Sequence, residues 1–183
     1  MNSNEPTSAR VRQAHLAEKY RENPSAAMIT DRGRTQHGTR TDAFHGEVVA
    51  GSQDYGLAWH YGVHSAVGGF HDAPNPGDLL CAALATCLDS TIRIVADRMG
   101  VPLEHVAVDV TANVDVRGTL MLDREVPVGF QAMHCHVDIR PAASATPEMV
   151  QKVVALAERS CVNMHTLRAG LPVELTTNLR RTA

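Results

Sequence analysis

The segment from Asn75 to Gly100 limits most strongly what this chain can fold into, because it predicts one long helix with a continuous apolar face. Asn75 is a favoured helix-capping residue, Pro76 suits the first helical position, and Gly100 is a typical terminator. Apolar residues recur between them at helical spacing, and few polar residues interrupt that side. They are Leu79, Leu80, Ala83, Leu84, Cys87, Leu88, Ile92, Val95, Ala96 and Met99. We therefore expect a long, buried helix.

Alternating apolar residues predict strands before and after this helix. Residues 43–50 and 55–63 flank a turn at 51–54, which is typical of a hairpin. The intervening residues 64–76 are rich in glycine and proline and predict a loop. Beyond the helix we expect a long half-buried strand at 106–116, a return that begins at 120–126, and a strand at 130–140. In the last of these Met133, Cys135, Val137 and Ile139 face inward.

A second helix opens at Thr146, with a proline and an acidic residue in its first turn, and continues towards Cys161. A short turn at 165–167 stops at Gly170, and residues 172–177 predict a last strand. The order β-β-α-β-β-α-β with long antiparallel strands indicates an α+β fold.

The first forty residues differ from the rest. They are polar, carry one predicted helix at about 6–21, and run through residues 30–40 without an apolar period, which indicates a loop. Nothing in this stretch would fold alone. We therefore divide the chain into an N-terminal extension, residues 1–40, and one folded domain, residues 41–183.

Composition excludes several classes of function. A formal net charge of −3 without a basic cluster argues against a nucleic-acid partner. The longest apolar run, residues 79–88, is too short for a membrane span of about 20 residues. The first residues lack the order of a secretory signal, so we expect a cytoplasmic protein. Four cysteines in such a chain indicate free thiols or a transient redox pair rather than structural disulfides.

Two of the cysteines, Cys87 and Cys161, each lie in or at the end of a predicted helix. They are 74 positions apart, so only a tertiary fold could bring the sulfurs together, and that arrangement suits a two-thiol redox centre better than a metal site. The alternative for each is a buried core cysteine. Cys161 ends its helix, where we expect access from solvent and easy rearrangement, as a resolving thiol requires.

A reactive Cys87 needs help from outside its own helix. The thiolate is the nucleophile, and Cys87 is about three turns from the helix N-terminus, beyond the useful reach of the dipole. Arg93 lies on a different helix face. The candidate cations are therefore Arg32, Arg34 and Arg40 in the polar approach to the first strand.

The other cysteines and the histidines favour structural interpretations. Cys81 and Cys87 diverge by about two thirds of a circle on the helix and cannot pair, and Cys135 is an inward strand residue. Alternation places His134 and His136 on the opposite face, so we predict no metal site. His60, His64 and His71 lie in a loop-rich region without ligand spacing. No phosphate-binding glycine loop or dinucleotide motif occurs, so no cofactor is expected.

Residues 43–178 resemble the OsmC/Ohr superfamily of osmotically inducible and organic hydroperoxide resistance proteins. The matching segments are Pro76-Gly77-Asp78-Leu79-Leu80, Ala82-Ala83-Leu84-Ala85-Thr86-Cys87, Asp115-Val116-Arg117-Gly118, Gly129-Phe130 and Ala157-Glu158-Arg159-Ser160-Cys161-Val162. The resemblance implies an intertwined homodimer with two long central helices packed against antiparallel sheets. It also implies thiol-dependent reduction of organic hydroperoxides. Cys87 then matches the peroxidatic cysteine that becomes a sulfenic acid, Cys161 matches the resolving cysteine that closes a disulfide, and an external dithiol restores both.

The chain departs from the peroxidase pattern near the start of its long helix. The family's peroxidases place a glutamate directly after the helix-opening proline, where this chain has Gly77. Asp78 is nine residues from Cys87, on the opposite helix face, and is expected to cap the helix. The position of the activating arginine falls near Phe44 and His45.

These departures keep an alternative function open: a non-peroxidase member of the family that binds a small apolar or electrophilic molecule at the dimer interface. A metal-dependent hydrolase that uses the histidines is the third and least favoured class.

Overall fold

The computed structural model describes residues 8–36, 42–51 and 57–179, which form five α-helices and two antiparallel sheets. The helices are α1 (Ala9–Glu22), α2 (Pro76–Met99), α3 (Val116–Thr119), α4 (Pro147–Ser160) and α5 (Val162–Ala169). The strands are β1 (Gly33–Gln36), β2 (Gly46–Ala50), β3 (Ala58–Tyr61), β4 (Leu103–Asn113) and β5 (Ala132–Pro141). Short 3₁₀ turns lie at Pro24–Ala27 and Ser65–Val67. The α+β class predicted from the sequence is confirmed.

Helix α2 begins and ends where its sequence predicts. The Asn75 side chain accepts hydrogen bonds from the Gly77 and Asp78 N–H groups at 2.8 and 3.3 Å. The Asp78 carboxylate in turn accepts the Asn75 N–H at 2.9 Å, which completes a capping box. Gly100 ends the helix in the left-handed conformation, with φ 67°. The predicted capping role of Asp78 is confirmed.

Strands β4 and β5 form a long antiparallel ladder that packs on α2. Their register runs from the pair Leu103–Pro141 to the pair Asn113–Ala132. The predicted inward residues of β5 are half-buried and face the core, whereas the alternate residues are exposed. Helices α2, α4 and α5 and strand β4 supply most of that core. Its buried members are Leu84, Leu88, Ile92, Ala96, Val101, Val106, Val153, Ala157, Cys161 and Met164.

The first sheet contains a strand that the sequence analysis missed. Strands β1, β2 and β3 pair antiparallel in that order, and β1 lies inside the stretch 30–40, for which a loop was predicted. The prediction was wrong because all four residues of β1 are exposed, so no apolar alternation marks the strand. The predicted hairpin pairing of β2 with β3 is confirmed, and its turn lies outside the described residues.

The connection between β4 and β5 differs from the prediction. Strand β4 stops at Asn113 instead of continuing to Val116, because the Asp115 side chain accepts the Arg117 N–H at 3.1 Å and caps the single-turn helix α3. Residues 120–126 form turns rather than a return strand. Met121 adopts a left-handed φ of 56°, which interrupts any extended run.

The C-terminal segment also differs from the prediction. Residues 171–179 follow Gly170 without regular secondary structure, although residues 172–177 were predicted to form a strand. Their apolar side chains Leu171, Val173, Leu175 and Leu179 are exposed by 62, 91, 89 and 97%. A strand requires a neighbour to satisfy its backbone, and the described part of this chain pairs none with the segment.

The predicted N-terminal helix is confirmed, and it is attached to the far end of α2. The Asp97 carboxylate accepts the Ser8 hydroxyl at 2.9 Å and the Arg10 N–H at 3.1 Å. These bonds hold the pKa of Asp97 below its usual range, the Arg10 N–H being the largest cause. A carboxylate from α2 thus caps α1 from outside.

Helix α2 is long and apolar enough to cross a membrane by length and composition alone. The core helix of a soluble protein meets the same criterion. In this chain Leu84, Leu88, Ile92 and Ala96 of α2 form the inner face of the packed core. The sequence predicted a buried helix. In a single chain, only this face of α2 is buried.

Replacing Ile92 by alanine tests whether α2 anchors the core. The Ile92 side chain is 0% exposed, so we expect Ile92→Ala to lower the free energy of unfolding by about 2–5 kcal/mol through lost burial and a residual cavity. Urea denaturation followed by circular dichroism measures the change. Ile29→Ala removes the same atoms from a side chain that is 78% exposed. An equal loss in both variants would contradict this account of the core.

Candidate active site

Cys87 lies at the middle of α2 and is half-buried. It follows Pro76 by eleven residues, about three helical turns. Its side chain packs beside the core cluster that contains Leu84 and Leu88. The Thr91 hydroxyl donates a hydrogen bond to the Cys87 carbonyl, one helical turn earlier, at 2.7 Å. The sulfur therefore stands on a rigid element at the edge of the core.

Cys161 is the single residue that separates α4 from α5, and its backbone is extended, with φ −75° and ψ 109°. Its side chain is 0% exposed. The expected access from solvent was therefore wrong. The break at Cys161 turns α5 back onto α2, so the helix end faces the core instead of water.

The fold brings these two thiols together. Cys87 lies close enough to the Cys161 side chain to raise the pKa of its thiol. Next to them the Asn163 side chain donates from Nδ2 to the Ala83 carbonyl of α2 at 2.7 Å. Residues that are 74 positions apart in the sequence thus form one thiol pair.

Burial is the main influence on the Cys161 thiol and raises its pKa above the usual range. The neighbouring Cys87 raises that pKa further, because two thiolates would repel each other. The backbone N–H groups of Met164 and Asn163, at the start of α5, act in the opposite direction and lower it. Cys161 is therefore held mainly in its thiol form at neutral pH.

The remaining cysteines lie apart from this pair. Burial raises the pKa of Cys81, and the nearby Asp78 carboxylate raises it further. Burial also raises the pKa of Cys135, while Arg168 opposes the shift. Both are half-buried free thiols, with Cys135 on the core face of β5 as predicted.

No cation contacts Cys87 within the described ranges of the chain. Arg32 and Arg34 lie on or beside the exposed strand β1, and neither makes an ion pair with the thiol. Arg40 lies outside the described residues. Arg93 is held by Asp89 at 2.9 and 3.1 Å and donates to the Val106 carbonyl at 2.7 Å, which agrees with its predicted exclusion.

A family model described as OsmC-like protein matches residues 69–176, more than half of the chain. The chain belongs to the OsmC-like family. That segment contains α2, the β4–β5 ladder and both helices next to Cys161. Comparison of the sequence with curated proteins found no significant match.

Solved structures of similar proteins include an organic hydroperoxide resistance protein OsmC from Legionella pneumophila. It is 25% identical, with a TM-score of 0.57 over 78% of this chain and 91% of that one. An organic hydroperoxide resistance protein from Elizabethkingia anophelis is 20% identical, with a TM-score of 0.57 over 79% and 91%. An OsmC-like protein of unknown function from Vibrio cholerae is 12% identical, with a TM-score of 0.62 over 76% and 94%.

Gly77 of this OsmC-like chain lies against Phe130. A Cβ atom at position 77 would lie 3.0 Å from Phe130 Cζ and 2.9 Å from Asn75 Oδ1. Any side chain there would press on the aromatic ring and on the cap of α2. The space beside the helix start is thus occupied by Phe130.

The structure brings two carboxylates, Asp42 and Asp72, together around His45. The sequence pattern did not indicate this cluster. His45 Nδ1 lies 2.8 Å from Asp42 Oδ1, and His45 Nε2 lies 2.9 Å from Asp72 Oδ1. Its ring stacks on Phe70 with centroids 5.4 Å apart. Two hydrogen bonds hold the pKa of Asp42 below its usual range. The bond from the Phe44 N–H has the larger effect, and the bond with the His45 side chain has the next largest. Only an imidazolium can donate to both carboxylates, so this arrangement favours a positive charge on His45.

A cavity of about 740 Å³ lies between α2, β5, α4 and α5. Its lining includes Leu84, Leu88 and Met164, which pack in the same core cluster as Cys161. Cys135 also lines the cavity, whereas Cys87 and Cys161 do not. The cavity can hold a small molecule with an apolar body.

The burial of Cys161 predicts an order of reactivity among the four thiols. We expect iodoacetamide to modify Cys161 of the reduced native protein most slowly, because its side chain is sealed and its pKa is raised. The rate at Cys161 should increase as the pH rises through the range above the usual value of about 8.5. Peptide mapping by mass spectrometry measures each site. In urea all four should react alike, and a Cys161 that is labelled as fast as Cys81 before unfolding would contradict the buried position.

Proposed function

We propose that this protein reduces organic hydroperoxides with the thiol pair as its redox centre. Cys87 is the peroxidatic cysteine and Cys161 the resolving cysteine. The observation that carries the proposal is the proximity of these two thiols at the core cluster. The name of the Legionella pneumophila relative, an organic hydroperoxide resistance protein, supports the same chemistry.

In the first step the Cys87 thiolate attacks the terminal oxygen of the hydroperoxide. The S–O bond forms, the O–O bond breaks, and the alkoxide leaves and takes up a proton as the alcohol. Cys87 is oxidised to a sulfenic acid. The half-buried position of Cys87 leaves its side chain partly open to a substrate.

In the second step the Cys161 thiolate attacks the Cys87 sulfur. The S–S bond forms, the S–O bond breaks, and hydroxide leaves and takes up a proton as water. Because burial raises the pKa of Cys161, this step should become faster as the pH increases. The N–H groups of Asn163 and Met164 favour the thiolate that the attack requires.

An external dithiol then reduces the disulfide by two thiol–disulfide exchanges. The exposed half of the disulfide is Cys87, whereas Cys161 is 0% exposed. The reductant therefore attacks the Cys87 sulfur, forms a mixed disulfide there and releases Cys161. Its second thiol frees Cys87. Such a cycle suits the cytoplasm, where thiols are kept reduced.

An intertwined homodimer, with the two α2 helices at its centre, is part of the proposal. The sheet β1–β2–β3 buries only Val49 among its large apolar side chains, and Trp59 on β3 is 50% exposed. The segment 171–179 carries its alternating apolar residues in the open. A second copy can cover these groups and bring an arginine of the N-terminal region, Arg32, Arg34 or Arg40, towards Cys87.

One alternative function is favoured by specific observations. Gly77 replaces the glutamate that the resemblance implies, and no cation contacts Cys87 in the part of the chain that the structure describes. Together with the cavity lined by Leu84, Leu88 and Met164, these features fit a non-peroxidase protein that binds a small apolar or electrophilic molecule at the dimer interface.

Hydroperoxide consumption separates the two functions. With dithiothreitol as reductant, the protein should consume tert-butyl hydroperoxide catalytically. Cys87→Ser should lower the rate by at least a hundredfold, because the nucleophile is lost. Without a reductant, Cys161→Ser should consume about one equivalent and leave a sulfenic acid on Cys87, which dimedone traps.

The matched control is Cys81→Ser, which removes a half-buried thiol outside the pair and outside the lining of the cavity of about 740 Å³ and should keep the wild-type rate. If the wild-type protein loses thiols to the hydroperoxide no faster than free cysteine does, the peroxidase function is wrong. Binding of an apolar or electrophilic compound with intact thiols would then favour the alternative.

The dimer predicts a mass twice that of the 19.8 kDa chain in size-exclusion chromatography with light scattering. The double variant Val173→Asp, Leu175→Asp places charges on the apolar face of the C-terminal segment and should shift the population to the monomer. Thr176→Asp adds a charge next to Leu175 on the other face of the segment and should leave the dimer intact. A wild-type protein of 19.8 kDa at micromolar concentration would rule the dimer out.

A further inference from the structure

We propose that Asn163 is a positioning residue that holds the Cys161 sulfur against Cys87 while the disulfide forms and breaks. The inference rests on the redox role proposed for the pair. Its core is a single long-range hydrogen bond between the two segments that carry the cysteines. The Asn163 side chain donates from Nδ2 to the Ala83 carbonyl at 2.7 Å, across 80 positions of the sequence.

The acceptor of this bond belongs to the turn that carries Cys87. In an α-helix each N–H donates to the carbonyl four residues earlier, so the Ala83 carbonyl is the acceptor of the Cys87 N–H. The Thr86 hydroxyl lies 3.2 Å from the same oxygen. A shift of Asn163 therefore moves the attachment point of α5 relative to Cys87 itself.

The other end of the bond controls Cys161. Asn163 is two residues after Cys161, in the first turn of α5. Cys161 has an extended backbone between two helices. As the N-cap residue of α5, it makes no side-chain capping hydrogen bond. Among the residues that the structure describes, the Asn163 bond is the one side-chain hydrogen bond between α5 and α2. The bond thus fixes the position of Cys161 relative to α2 together with the apolar packing of Cys161 and Met164.

Disulfide chemistry is sensitive to such a constraint. A disulfide requires Cα atoms within about 7 Å and a defined torsion about the S–S bond. Holding two reacting groups in position raises their effective concentration by orders of magnitude. Loss of the Asn163 bond leaves both sulfurs present and changes only how often they meet in a productive geometry. The expected defect is therefore in the resolving step and not in the attack on peroxide.

The test compares Asn163→Ala and Asn163→Asp with the wild-type protein. Aspartate keeps the size of asparagine and loses the N–H donor. Both variants should form the Cys87–Cys161 disulfide at least tenfold more slowly in a single turnover with tert-butyl hydroperoxide, and dimedone-trapped sulfenic acid should accumulate. The rate at which Cys87 is first oxidised should stay within about twofold. His165→Ala, which removes an exposed side chain from the same helix, should behave as wild type in both steps.

A second measurement does not depend on peroxidase activity. Equilibration with mixtures of reduced and oxidised dithiothreitol should give an equilibrium constant for the Cys87–Cys161 disulfide at least tenfold lower in both Asn163 variants. If the wild-type protein does not react with the hydroperoxide, the redox function fails, and this equilibrium still decides the role of Asn163.

Three results would overturn the inference. The first is a wild-type rate and equilibrium constant in both variants. The second is an equal slowing of Cys87 oxidation and disulfide formation. The third is unfolding of both variants by circular dichroism, because Asn163 would then be a general stabiliser of the fold rather than a positioning residue.

Discussion

The packing of α5 back onto α2 is the contact on which the rest of this site depends. The extended residue between α4 and α5 makes the reversal possible, and it buries the Cys161 sulfur completely. Because α2 is a continuous, well-capped helix, it offers a fixed surface to which the returning segment can attach. Local backbone geometry at one residue therefore determines whether two distant sulfurs become neighbours.

The two sulfurs that meet there have different surroundings. Cys87 is half-open, while Cys161 is sealed and has a raised pKa. A sealed thiol resists oxidants from solution, and it can still reach the sulfur beside it. This asymmetry divides the proposed chemistry between a residue that meets substrates and a residue that meets only its partner. Without a cation beside it, the open Cys87 thiol would be a weak nucleophile, and the same fold could then serve as a binding protein.

The sequence predicted those parts of the fold that carry a regular apolar signal. Helix α2 was found from its cap, proline, stripe and terminal glycine, and the inward face of β5 from its alternation. Strand β1 was missed because it is exposed throughout, and the last predicted strand has no pairing partner among the residues that the structure describes. Within the site, Cys87 and Cys161 were singled out from their helices, and the fold places them close together. The Asn163 bond and the carboxylates around His45 are tertiary contacts without a periodic signature, so no local pattern could reveal them.

The contact between Gly77 and Phe130 has a consequence for how this branch of the family can diverge. A single methyl group at position 77 already lies 3.0 Å from the ring, so the ring would have to move by a few tenths of an ångström. A longer acidic side chain would require the Phe130 ring and the Asn75 side chain, whose Oδ1 would lie 2.9 Å from the added atom, to turn away. A gain of the acidic residue at this position would therefore rearrange the cap of α2 as well as the ring beside it.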